Sequence, residues 1–168
     1  LRLLGVKKDT ENRYQGKRSW QFEVDNQGWR YHMSNINAAI GLSQIQLCET
    51  KFNRRIELAD NYLKHLSNND NISFLNVFSE DTVNHIFPIL VDSNIRDPLK
   101  LLLKEDKIET GIHYQPNHLL NFYRSSYNLP VAKNLSKRIL SIPLHSSLTD
   151  FEQGYVIERL ISNLKSLS

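Results

Sequence analysis

The sequence predicts a small α+β domain entered through a long helix, and three observations carry that prediction. Apolar residues recur at helical spacing from Ile36 to Leu66. Two β-rich runs, ISFLNVF (72–78) and HIFPILV (85–91), follow them, and two further helical stripes close the chain. About three strands with helices packed on them is the expected architecture. With 168 residues, 40% of them hydrophobic, the chain is long enough to bury a core.

Taken in order, Leu1, Leu3 and Leu4 read as the tail of a helix whose beginning lies upstream, ended by Gly5 as a C-terminal cap. No methionine opens the chain, so it is expected to be a piece of a longer protein. Residues 7–19 are polar and read as an exposed loop, and WQFEV (20–24) alternates as a strand. Ser34 is a good N-cap, and behind it Ile36, Ile40 and Leu47 begin one stripe while Phe52, Ile56, Ala59, Leu63 and Leu66 form another. Together they predict one long helix, or two with a break near Cys48 to Lys51, ending by SNNDN (67–71). Such a length suits a scaffold or a subunit contact.

Of the two β-rich runs, the second carries Pro88 and is expected at an edge or with a bulge. Asp97 and Pro98 read as a cap and first-turn pair for a short helix through Lys104. KIETGIHY (107–114) reads as a third strand, and Gln115 to Leu129 as an irregular stretch rich in aromatics. Pro130 opens a helix with Val131, Leu135 and Ile139 on one side, and Thr149 to Glu152 has the capping-box form ahead of the last helix.

Composition narrows the function. No apolar run approaches the roughly 18 residues of a membrane span, and no secretory signal is visible. The single cysteine, Cys48, excludes an internal disulfide framework and suits a reducing compartment, so the expected location is the cytoplasm. The net charge of +3 comes from residues 1–32, where Arg2, Lys7, Lys8, Arg13, Lys17, Arg18 and Arg30 outnumber Asp9, Glu11, Glu23 and Asp25. A local excess without a reading module argues against nucleic acid and for a small anionic ligand.

Two clusters can carry chemistry. GWRYHMSNINAAIGLSQIQ (28–46) sets Arg30 and His32 ahead of a helix start, whose free amides and dipole favour an anion; with the Ser34 hydroxyl they form a candidate phosphate site. Trp29 and Tyr31 either wall that site or anchor the core. In GIHYQPNHLLNFY (111–123), His113 and His118 flank a proline at a strand-to-loop exit, where side chains meet ligands or simply meet solvent. Their spacing does not suit a helical metal pair, and no cysteine or carboxylate cluster supplies further ligands. His145 reads as a helix-approach residue held by local hydrogen bonds, ahead of the alternative of a third ligand-facing group. No phosphate loop, nucleophile elbow or paired-carboxylate arrangement appears, so no catalytic residue is assigned.

GWRYHMSNINAAIGLSQI (28–45), TGIHYQPNHLLNFY (110–123) and PVAKNLSKRILSIPLHSSLTDFEQGYVI (130–157), in that order, resemble the C-terminal half of the DegT/DnrJ/EryC1/StrS sugar aminotransferases. The resemblance implies a dimeric, aspartate-aminotransferase-like fold type I enzyme that uses pyridoxal phosphate (PLP) and an amino-acid donor to aminate a nucleotide-linked keto-sugar. Residues 1–33 would end its large PLP domain, 34–67 form the connecting helix and 68–168 the small domain. In most members the first motif reads Gly, aromatic, Asn, Tyr, Arg, Met; here Arg30 stands in place of the Asn and His32 in place of the Arg. The resemblance therefore implies that Arg30, with His32, contacts a partner subunit's PLP phosphate, and that His113 and His118 lie near the sugar nucleotide. The family's Schiff-base lysine lies upstream, and none of Lys7, Lys8 or Lys17 sits in a matching motif. The chain alone is then expected to transfer no amino group and to hold no PLP tightly. Half of a split enzyme, a non-catalytic dimerisation or phosphate-binding remnant, and a PLP-dependent sugar dehydratase remain open alternatives.

Overall fold

The computed structural model describes residues 24, 26–31, 33–75 and 82–167, which fall into two compact units, Leu1–Cys48 and Glu49–Ser168. The strand expected over residues 20–24 and the helix tail at Leu1 to Gly5 lie outside the described residues, Val24 excepted.

In the first unit, helix α1 spans Asn35–Ile45. Ser34 caps it as expected: the residue is extended (φ −70°, ψ 153°) and its hydroxyl accepts from the Asn37 N–H at 3.2 Å. Ile36, Ile40, Leu42 and Ile45 are all exposed, and α1 buries none of its residues.

Helix α2 spans Cys48–Leu66. The break between the two helices therefore falls at Gln46 and Leu47, slightly earlier than the expected Cys48 to Lys51. The buried stripe of α2 is Leu58, Ala59, Tyr62 and Leu66, with Leu63 packed against it. Phe52 and Ile56, which the spacing placed on the same stripe, are exposed.

The second unit is built around a three-stranded antiparallel sheet in the order β1 (Ser73–Phe74), β2 (Phe87–Leu90), β3 (Ile139–Ile142). Its third strand is not the expected KIETGIHY run. That segment contributes one bridge, Gly111 to Ser141, while ILSI at 139–142 pairs with β2 along its whole length. Ile139 thus leaves the helical stripe assigned to it, and helix α4 stops at Arg138. The physical reason is burial: every residue of β2 and β3 is buried, and an aliphatic run serves that double-covered position better than charged KIET.

Pro88 also departs from expectation, because β2 is the central strand. The Val91 N–H donates to the Arg138 carbonyl at 3.1 Å, so alternate residues Ile89 and Phe87 face β3. Pro88 then turns its hydrogen-free nitrogen toward β1, and β1 pairs only Ile89 and Leu90. No ladder bond is lost.

Helix α3 spans Arg96–Glu105 and begins just before the expected Asp97 and Pro98 pair. Its N-cap is Ile95, which makes no side-chain cap bond, so Asp97 lies in the first turn and is not the cap; the turn ahead of it is closed by Asp92, whose carbonyl accepts from Ile95 at 3.2 Å and Arg96 at 3.0 Å and whose carboxylate accepts from Asn94 at 2.7 Å. A 3₁₀ turn at Asn117–Leu119, helix α4 (Pro130–Arg138) and helix α5 (Asp150–Leu167) complete the unit. At the start of α5 the capping box forms as read, with the Thr149 N–H donating to Glu152 Oε2 at 2.8 Å and the Glu152 N–H to Thr149 Oγ1 at 3.2 Å.

One core joins α2, the sheet, α3 and α5, with Tyr62, Phe87, Leu99, Leu140, Leu160 and Leu164 fully buried. The Tyr62 and Phe87 rings pack at a 40° tilt with centroids 4.9 Å apart, and the Tyr62 hydroxyl donates to the Pro143 carbonyl at 2.9 Å. Polar bonds register α2 against α5: Gln153, 1% exposed, donates to the Leu58 carbonyl at 2.7 Å and accepts from Asn61 at 2.7 Å. Arg159 Nε lies 2.8 Å from Asp106 Oδ2, which also accepts from Asn163 at 2.8 Å, tying α5 to the end of α3.

Replacing Gln153 by alanine removes both bonds and leaves a gap, so unfolding free energy in urea should fall by about 1–3 kcal/mol. Arg159 and then Asn163 hold the Asp106 carboxyl below the usual carboxylate range. A depressed pKa stabilises the fold above the unfolded-state pKa of about 4, and that stability is lost as pH falls through the folded value. Thermal melts of wild type and Asp106→Asn should therefore differ most near neutral pH and converge on acidification.

Candidate functional site

The first cluster stands at the entrance to α1. Trp29 and Tyr31 are 59% and 66% exposed, so within this chain they are not core anchors. Arg30, between them, is exposed as well. The backbone amides of the first helical turn have no preceding carbonyls to pair with, and the Ser34 hydroxyl accepts from Asn37 while keeping its own proton to donate. Charge, free amides and a hydroxyl donor at one helix start suit a phosphate. His32, the second candidate there, lies outside the described residues.

The second cluster lies along the sheet edge in the other unit. Ser141 exchanges both backbone bonds with Gly111, at 2.9 and 2.7 Å, which sets residues 111–114 beside β3. His113 is half-buried, and its Nδ1 lies 2.9 Å from Ser141 Oγ. The ring packs over Gly111 so closely that a Cβ there would overlap His113 Cε1. Tyr114 meets the imidazole edge-to-face at 4.7 Å and is itself exposed.

His118 sits in the 3₁₀ turn, part-exposed, where the Leu119 N–H donates to the Pro116 carbonyl at 2.9 Å. Beyond it Phe122 and Tyr123 form another edge-to-face pair at 5.0 Å, with Phe122 91% exposed. Exposed rings at this density provide flat apolar surface for a ligand or a neighbouring chain. His145 is exposed, and its backbone carbonyl accepts from the Leu148 N–H at 3.0 Å.

The structure thus ties His113 to Ser141 and leaves His118 on a separate turn, while Arg30 belongs to the other compact unit. Ser141 and the exposed Tyr114 and Phe122 were not singled out by the sequence. The available signal for Ser141 was one hydroxyl in an otherwise aliphatic run, ILSI. Among the described residues no three His, Cys, Asp or Glu side chains converge to hold a metal ion, and no helix is long and apolar enough to cross a membrane.

The chain is 30% identical over 171 residues to the spore coat polysaccharide biosynthesis protein SpsC of Bacillus subtilis, covering 94% of this chain and 43% of that protein. Among solved structures, the aminotransferase TlmJ from Streptoalloteichus hindustanus superposes with a TM-score of 0.80 at 26% identity, covering 100% of this chain and 44% of that one. NtdA from Bacillus subtilis, solved with bound cofactor PMP, gives 0.76 at 31% identity, covering 85% and 35%. The chain thus spans about two fifths of the length of these relatives. The sequence pattern of one family runs through both clusters, matching residues 1–161, and on that match the chain belongs to the DegT/DnrJ/EryC1/StrS aminotransferase family.

Proposed function

We propose that this chain is the C-terminal portion of a PLP-dependent nucleotide-sugar aminotransferase that aminates a keto-sugar destined for surface polysaccharide or secondary-metabolite synthesis. The observation that carries the reading is the family match over residues 1–161, which spans both candidate clusters. SpsC, named for polysaccharide biosynthesis, and NtdA, with its bound PMP, support the sugar and the cofactor. Residues 1–33 are the end of the large PLP domain, 34–67 the connection and 68–168 the small domain. The lysine that holds the cofactor lies outside the chain, which is inactive alone, and the complete enzyme is a cytoplasmic homodimer.

Bound PLP supplies the electron sink through which an amino group passes from an amino-acid donor to the sugar. The residues at the α1 entrance fit its phosphate. Arg30 offers a charged fork, the first-turn amides point along the helix axis, and Ser34 retains a hydroxyl proton. Arg30 acts on the cofactor of the partner subunit. His113 and His118 orient the sugar nucleotide through its hydroxyls or diphosphate and move no proton in the reaction.

In the complete enzyme Arg30→Ala should weaken PLP binding roughly tenfold or more, as expected when a hydrogen bond to a charged group of about 1.5–3 kcal/mol is lost. Equilibrium titration by cofactor absorbance reads this directly, and an unchanged affinity removes Arg30 from the site. His118→Ala should raise KM for the nucleotide sugar by roughly fivefold, the worth of about one neutral hydrogen bond, with a smaller change in kcat. Steady-state kinetics with both parameters unchanged would end that assignment.

A further inference from the structure

Three polar side chains are buried among the described residues: Ser141, Gln153 and Asn163. Gln153 and Asn163 join helices, as described above. Ser141 does neither that nor any work in the β ladder with its side chain, since its N–H and C=O bond Gly111 through the backbone. An aliphatic residue would build this strand as well, and Ile139, Leu140 and Ile142 do so around it. The hydroxyl, in a residue only 4% exposed, has His113 Nδ1 at 2.9 Å.

We infer that Ser141 is a positioning residue that fixes the His113 imidazole so that Nε2 faces the nucleotide sugar. This inference rests on the reading of His113 as a substrate contact.

The ring is held from three sides. Gly111 lies against it, with the site of an absent Cβ only 3.2 Å from both ring nitrogens; Tyr114 closes an edge at 4.7 Å; and Ser141 engages Nδ1. Packing limits tilt but does not distinguish the two flipped orientations of an imidazole, whose χ2 is broad and roughly two-fold. A hydrogen bond to one nitrogen does. The hydroxyl can donate to Nδ1 or accept from it, so the bond fixes which way the ring faces, and Nε2 offers a ligand the role that Nδ1 does not take. Among the described residues Ser141 is the hydrogen-bond partner of this ring, which leaves Nε2 for the substrate.

The test uses the full-length enzyme labelled with ring-15N histidine. His113→Ala assigns the signal, and Ser141→Ala, Ser141→Thr and wild type are compared by two-bond 1H–15N correlation spectra and by steady-state kinetics. In wild type the two ring nitrogens of His113 should give separate signals, with Nδ1 shifted by its hydrogen bond to the Ser141 hydroxyl. Ser141→Ala should remove that shift of Nδ1 and raise KM for the nucleotide sugar roughly fivefold, with less change in kcat, at an unaltered melting profile. Ser141→Thr, which keeps the hydroxyl, should restore both readouts. An unchanged His113 spectrum in Ser141→Ala overturns the positioning role whatever the kinetics. If the spectrum changes but neither Ser141→Ala nor His113→Ala moves KM, the substrate reading of His113 fails, and this role with it.

Discussion

The fold depends on β3 being a fully buried strand that bonds on both sides, to β2 along its length and to Gly111 at one residue. Leu140 and Ile142 face β2 in an antiparallel ladder, and the intervening residue, Ser141, necessarily turns its backbone groups the other way, to Gly111. That alternation attaches the 107–114 segment to the sheet by one bridged pair and hands it over at once to the loop carrying His113 and His118. Two further pairs would have made a fourth strand. With one, the chain is registered at Gly111 and then free to leave the sheet, which is how a rigid scaffold presents ligand-facing side chains.

The exit of β3 is held with equal care. Arg55 donates to the carbonyls of His85 at 3.1 Å and Leu144 at 3.2 Å, and Arg54 donates to the Leu148 carbonyl at 2.8 Å and to Asp150 at 2.6 Å. With the Tyr62 hydroxyl on Pro143, α2 collects the loop carbonyls between β3 and α5 that no ladder satisfies. Guanidinium groups suit this task because each presents several donors in a fixed plane. Burial drives the helices onto the sheet, while these directional bonds and the Gln153 pair decide the registry in which they dock.

The first unit follows a different economy. Helix α1 is rich in aliphatic residues yet buries none of them, and Trp29 and Tyr31 beside it are exposed too. Apolar surface of this kind is normally covered. The role proposed for Arg30 uses this same uncovered face.

Local chemistry was legible in the residues themselves. The Ser34 cap, the Thr149 and Glu152 capping box, the end of α2 before SNNDN and the α+β class all follow from side chains bonding the nearest backbone or repeating at 3.6 residues, and Arg30 and His113 stood out by type and neighbours. The third strand did not, because ILSI continues the apolar spacing of α4 and only pairing with β2 makes it a strand. Pro88 looked like an edge residue because its missing donor matters only on the side where a neighbour exists, and β1 is too short to reach it. Phe52 and Ile56 shared a stripe with Ala59 but not its burial, since what covers a helix face depends on elements distant in sequence. Ser141 passed unnoticed for the same reason. Its hydroxyl acquires a purpose only when the sheet brings it to His113, a residue 28 positions earlier in the chain.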